Sequence, residues 1–237
     1  MGSNQDGGNT CRAAGSRIQM NDKSIKDRLS GLYVIADSGL LDDHQLLLSS
    51  DRALAGGARI LQFRDKTSDA AKKKQTAIEL WRLCRKYDAV YIINDDPELA
   101  VEIDADGVHL GKNDMDIKKA RALAGSQLII GASCYDSIEQ ARKMKKSGAD
   151  YLAFGSFYHS RTKPSAPRAN IGLLQQARVL DLPLAAIGGV DASNGAKLIG
   201  AGADMLAVIS AMFYTADTFQ AASDLSSLFD RNSAVAG

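Results

Sequence analysis

Gly148-Ala149-Asp150-Tyr151-Leu152-Ala153-Phe154-Gly155 is the stretch on which the fold turns. A glycine that closes a helix is followed by a small residue, a charged one and a short apolar run. Glycine suits that first place because it takes a positive φ without a Cβ penalty and so ends a helix cleanly. Gly57-Ala58-Arg59 and Gly202-Ala203-Asp204 repeat the pattern, each opening another apolar run. Working outward, strand candidates lie at 32–37, 59–65, 89–94, 107–110, 128–133, 151–155, 184–189 and 205–210. Their hydrophobicity is nearly continuous rather than alternating, as in parallel strands buried on both faces. Helix-period segments separate them at 43–55, 68–87, 97–103, 116–123, 137–147, 171–179, 192–199 and 217–229. In the second of these, Ile78, Trp81, Leu83 and Cys84 form an apolar stripe opposite Lys72, Lys73 and Lys74, which read as a solvated face. Eight strand–helix units with no room for a second domain predict a single-domain (β/α)₈ TIM barrel over residues 29–237. A doubly wound open sheet is the alternative, but it rarely needs eight such regular units. Residues 1–28 are polar, rich in Gly, Ser and Asn, and read as a disordered tail.

Composition narrows the function. The 237 residues carry 29 Lys+Arg against 28 Asp+Glu, a formal net charge of +1. That balance argues against a nucleic-acid partner, which would call for a basic excess. The longest run without an acid, Lys or Arg is Ala122 to Tyr135, 14 residues, short of the ~18–20 apolar residues of a membrane span. No apolar signal segment is seen near the start, so the expected location is the cytoplasm. Cys11, Cys84 and Cys134 are odd in number and scattered, with no C-x-x-C pair, which fits plain thiols better than disulfides or zinc. With only His44, His109 and His159 present, no Ser/His/Asp or Cys/His arrangement stands out. His109, inside a strand candidate, reads as a hydrogen-bonded wall residue.

A barrel of this kind carries its active site at the C-terminal ends of the strands. The second strand ends Gln62-Phe63-Arg64-Asp65-Lys66, and its period of two sends Gln62, Arg64 and Lys66 to one face. Two cations and an amide at a barrel mouth suit an anion such as phosphate, and a salt-bridged rim would use the same residues. The third and fourth strands end Ile93-Asn94-Asp95-Asp96 and Leu110-Gly111-Lys112-Asn113-Asp114. Spacing alone leaves Asp95 and Asp114 equally suited to pairing with those cations or to holding Mg²⁺. The longest loop, Ser156 to Arg168, brings hydroxyls, Arg161 and Lys163 to the same face and reads as a lid. Gly188-Gly189 and Ile209-Ser210 follow the last two strands, where this fold commonly binds phosphate.

Taken together, the strand ends resemble the thiamine-phosphate synthase family. The resemblance rests on Gln62-Phe63-Arg64-Asp65-Lys66, Ile93-Asn94-Asp95, Asp106-Gly107-Val108-His109-Leu110-Gly111 with Asp114, Gly131-Ala132-Ser133, Thr162-Lys163, Ile187-Gly188-Gly189-Val190 and Val208-Ile209-Ser210-Ala211. It implies a transferase that joins an aminopyrimidine methyl diphosphate to a thiazole phosphate, releasing pyrophosphate and forming thiamine phosphate. It further implies that Gln62, Arg64, Lys66, Asn94 and Lys163 hold the pyrimidine diphosphate and that Ser133 touches it. Asp95 and Asp114 would ligate Mg²⁺, and Ser160, Thr162, Gly189, Ile209 and Ser210 would bind the thiazole phosphate. Arg64, Lys66, Lys163 and Ser133 would be the catalytic group. The expected partners are small phosphorylated substrates, with self-association left open. The chain departs from the family in its proline-poor strand-6 loop, in Asp96 where Arg is frequent, and in Lys112 where Gln is frequent. A thiazole tautomerase and a non-catalytic ligand sensor of the same fold are the rival readings.

Overall fold

The computed structural model describes residues 25–159 and 168–233. Its elements run α1 (Ile25–Arg28), β1 (Gly31–Asp37), α2 (Asp43–Ala55), β2 (Ile60–Arg64), α3 (Ala70–Lys86), β3 (Val90–Asn94), α4 (Pro97–Glu102), β4 (Gly107–Leu110) and α5 (Ile117–Ala124). They continue β5 (Ile129–Tyr135), α6 (Ile138–Ser147), β6 (Tyr151–Phe154), α7 (Gly172–Ala177), β7 (Leu184–Ile187), α8 (Gly195–Gly200), β8 (Met205–Val208), α9 (Ser210–Phe213) and α10 (Thr218–Ser233). The strands pair in parallel in chain order, and β1 pairs with β8, closing the barrel. The expected single (β/α)₈ barrel is therefore the fold, and the open-sheet alternative is excluded by the β1–β8 pairing.

Local chemistry sets the helix starts. Asp42, Asp69, Asp96 and Asp116 each accept a backbone N–H from the first turn of α2, α3, α4 and α5, and Ser137 does so for α6. Such caps satisfy donors that a helix leaves without partners. The helix candidates match these elements to within a few residues, while the short α1 and α9 were not expected. On α3 the buried face is Thr76, Ala77, Leu80 and Cys84 rather than the stripe through Trp81 and Leu83. The lysines opposite it pair with Asp43, Asp96 and Glu102.

The repeated Gly-Ala-Asp explains how the barrel's lower rim is held. Gly57, Gly148 and Gly202 have φ of 104°, 98° and 109°. Arg59 follows Gly57-Ala58, but after Gly148 and Gly202 an aspartate accepts a backbone N–H from the neighbouring strand: Asp150 from Ile130 at 2.7 Å and Asp204 from Leu184 at 2.8 Å. Asp106, at the corresponding place before β4, accepts from Tyr91 at 2.8 Å. Arg85 and Arg121, from the last turns of α3 and α5, pair with Asp106 and Asp150. Asp150 to Ala removes both the ion pair and the acceptor of a partly buried N–H, an expected loss of about 1–3 kcal/mol. In denaturant melts it should exceed the loss from Asp51→Ala, whose ion pair with Lys86 is screened by solvent. Equal losses would contradict the role given to Asp150.

Below the rim, α1 lies within the segment assigned to the tail but is tied to the barrel. Arg28 pairs with Asp106 at 3.1 Å and Arg59 donates to the Asp27 carbonyl at 3.2 Å. Leu29 is fully buried and joins the core inside the barrel with Tyr33, Ile60, Val90, Ile129, Tyr151 and Met205. A second core lies between the strands and the helices. Inward positions of β6, β7 and β8 are Ala153, Ala185 and Ala207, and their small side chains leave open space above the core.

Candidate active site

That space is a cavity of about 310 Å³ at the C-terminal ends of the strands, with Gln62, Arg64, Asn94, His109 and Ser133 on one side. Ala153, Ala185, Ala207 and the backbones of Gly188 and Gly189 line the other, with Ile209 and Ser210 above them. The structure thus brings together seven of the residues expected at the site, Gln62, Arg64, Asn94, Ser133, Gly189, Ile209 and Ser210, with the wall residue His109 beside them. Ser160, Thr162 and Lys163 lie outside the described residues.

The β2 pattern is as expected, with Gln62 and Arg64 facing inward and Phe63 packed outward. Arg64 donates to Asp37 at 2.5 Å, across the β1–β2 register that pairs these two residues. Arg64 is thus a rim pair that also lines the cavity. Lys66 is just past the strand, about half exposed, with its ammonium 2.9 Å from Asp95. Asp65, on the opposite face, accepts the backbone N–H of Thr67 and Ser68. Burial raises its pKa, but these hydrogen bonds outweigh it and hold the carboxyl well below the usual range.

Asp95 and Asp114 meet at the rim. Asp95 has φ of 65°, and its N–H donates to the His109 carbonyl at 2.9 Å. The Gly111 N–H donates to Asp114 at 2.7 Å. The two carboxyls lie close enough to shift one another's protonation. Burial and the Asp95 carboxylate push Asp114 above the ordinary carboxylate value. Burial acts upward on Asp95 too, but its hydrogen bonds with Asp114 and Lys66 prevail and lower it. Two hard-oxygen ligands this close, beside a phosphate-sized cavity, fit Mg²⁺, which takes one or two carboxylates and fills its other positions with water and substrate phosphate. Among the described residues no group of three or more His, Cys, Asp or Glu offers a metal a denser protein cage.

The two family departures within the described residues fall outside this pair. Asp96 caps α4 and pairs with Lys73 at 2.7 Å, and Lys112 is exposed. Cys84 and Cys134 are buried free thiols, as expected, and burial pushes Cys134 up to about 12. Sequence reasoning missed Asp37, Tyr33 and Tyr151. The available signal was a polar group inside an otherwise aliphatic strand: Tyr33 in Leu32–Ala36, Asp37 at its end, and Tyr151 opening β6.

An eight-stranded barrel whose cavity opens at the C-terminal strand ends, with cations and a carboxylate pair at its mouth, defines a (β/α)₈ enzyme of phosphorylated small molecules. The sequence matches the family described as thiamine monophosphate synthase over residues 32–212. Thiamine-phosphate synthase of Chromobacterium violaceum is 49% identical over 202 residues, covering 85% of this chain and 97% of that protein. The Thiobacillus denitrificans enzyme of the same name is 50% identical over 189 residues, covering 79% and 90%. Among solved structures, thiamine phosphate pyrophosphorylase from Pyrococcus furiosus superposes with a TM-score of 0.80 at 33% identity, covering 88% of this chain and 98% of its own. The chain belongs to the thiamine monophosphate synthase family.

Proposed function

We propose that this enzyme joins 4-amino-2-methyl-5-(diphosphooxymethyl)pyrimidine to 4-methyl-5-(2-phosphooxyethyl)thiazole, giving thiamine phosphate and pyrophosphate with Mg²⁺ as the working metal. Family membership supports the overall reaction. The observation that carries the metal-assisted form is the Lys66–Asp95–Asp114 cluster at the mouth of the cavity, with Lys66 2.9 Å from Asp95. Arg64 and Lys66, with Lys163 from the strand-6 loop, bind the diphosphate and stabilise the charge that grows on it as the methylene C–O bond breaks. Gln62 and Asn94 orient the aminopyrimidine, whose electron-rich ring supports the methylene cation. Asp95 and Asp114 would hold Mg²⁺, which would supply charge stabilisation to the departing diphosphate. The thiazole nitrogen brings its own lone pair, so forming the C–N bond requires no general base. Ser160, Thr162, Gly189, Ile209 and Ser210 hold the thiazole phosphate. Enclosure of the cavity keeps water from the cation.

Among the described residues no helix is long and apolar enough to cross a membrane; in this reading the enzyme works in the cytoplasm. One assay separates the readings. With both substrates and Mg²⁺, thiamine phosphate and pyrophosphate are expected in equal amounts, and chelation should suppress both. A tautomerase or a ligand sensor would release no pyrophosphate. Absence of product with and without metal would refute the proposed reaction.

A further inference from the structure

A single file of hydrogen bonds crosses the floor of the cavity from β3 to β5. Gln62 Nε2 donates to Asn94 Oδ1 at 2.6 Å, and the Tyr33 hydroxyl donates to Gln62 Oε1 at 2.9 Å. The Tyr33 and Tyr151 hydroxyls are 2.8 Å apart. His109 bridges onward, with Nδ1 2.9 Å from the Tyr151 hydroxyl and Nε2 2.9 Å from Ser133 Oγ. Gln62, Tyr33 and Tyr151 are buried. Burial pushes both phenols upward, so each keeps its one proton.

Counting protons leaves the file two directions, and the placement of the Gln62 amide sets the first. Gln62 Oε1 accepts only, so Tyr33 spends its proton there and must accept from Tyr151. Tyr151 has then spent its own proton and must accept from His109 Nδ1–H. In a neutral ring Nε2 is the acceptor, so the Ser133 hydroxyl donates to it and turns lone pairs to the cavity. With the ring neutral, a phosphate oxygen at Ser133 needs the opposite. It needs a Ser133 donor, hence His109 Nε2–H, a Tyr151 hydroxyl donating to Nδ1, a Tyr33 hydroxyl donating to Tyr151, the NH₂ of Gln62 turned to Tyr33, and the NH₂ of Asn94 turned to Gln62 Oε1. Both directions satisfy every link with a neutral imidazole. Going from one to the other, the ring gains a proton at Nε2 from cavity water and returns the Nδ1 proton to it.

We propose that this file couples the two ends of the pyrimidine diphosphate site: an anion at Ser133 reverses it, moves His109 to the Nε2–H tautomer and turns over the Gln62 and Asn94 amides presented to the pyrimidine. His109, Tyr151 and Tyr33 are positioning residues in this scheme. The consequence is specificity, since the amide pattern that reads the ring is set only when a diphosphate fills the far end. The inference rests on the placement of the pyrimidine at Gln62 and Asn94 and of the diphosphate at Ser133.

Calorimetry with magnesium pyrophosphate and the pyrimidine alcohol, alone and together, tests the coupling. In the wild type each is expected to tighten the other at least about fivefold, within the range usual for coupled sites. Tyr151→Phe and Tyr33→Phe cut the file at different links, and each should reduce the coupling below about twofold. Nitrogen-15 NMR of His109, assigned by its loss in His109→Gln, should show Nδ1–H without ligand and Nε2–H with magnesium pyrophosphate. Undiminished coupling in both variants, or an unchanged tautomer in the wild type, would overturn the inference. If the wild type still makes thiamine phosphate, such a result leaves the proposed function standing; failure to make it refutes the function separately.

Discussion

Lys163→Ala is expected to lower kcat about 10²–10³-fold, the usual cost of removing one group that stabilises transition-state charge, equivalent to ~3–4 kcal/mol. The loss should fall on kcat more than on KM, because the diphosphate oxygen gains most of its charge as the C–O bond breaks. Arg64 and Lys66 remain to bind the ground-state diphosphate. The barrel closes through β1 and β8 among the described residues, and the thermal midpoint is expected to stay at the wild-type value. Single-turnover kinetics with both substrates, alongside a thermal melt, gives both readouts. Near-normal turnover would remove Lys163 from the mechanism. A lowered midpoint would assign it a structural role.

Gly131→Ala is expected to damage both the fold and the site. A Cβ on Gly131 would lie 2.0 Å from the Cζ of Tyr151 and 2.3 Å from its hydroxyl. Tyr151 is fully buried, its ring 6.1 Å from that of Tyr33 and 5.6 Å from that of His109, so it has no open space to enter. Overpacking of this kind costs about 1–3 kcal/mol. For a chain of this size that corresponds to a midpoint lower by roughly 2–4 °C per kcal/mol. The phenol would also be displaced from His109 and Tyr33, so activity should fall further than the stability loss explains. Denaturant melts and kcat measured well below the midpoint separate the two effects. A variant with wild-type stability and turnover would show that the ring is not confined as described.

Much of the site was legible before any tertiary structure. Period-two alternation put Gln62 and Arg64 on one face, and proximity to strand ends marked Asn94, Asp95 and Asp114. Spacing left Asp95 and Asp114 undecided between ion pairing and metal binding, because it carries no distances. In three dimensions Asp95 pairs with Lys66 and lies beside Asp114. Asp96 looked like a change at the site, yet its side chain turns away to cap α4. Tyr33 and Tyr151 stayed hidden for a related reason. A tyrosine in an apolar strand looks like filling, and its hydroxyl acquires meaning only from a partner 118 residues away.

By itself the sequence determined the barrel. Strand and helix identity are local properties, written in continuous apolar runs, Asp and Ser caps, and glycines able to take positive φ. Eight such units in succession leave few ways to bury both faces of every strand. Only the tertiary structure decided which polar groups touch. Closing the barrel sets Arg64 against Asp37, Asp95 against Asp114, and His109 between Tyr151 and Ser133. Those contacts depend on register and barrel curvature, which sum over all eight strands and are encoded in no single stretch.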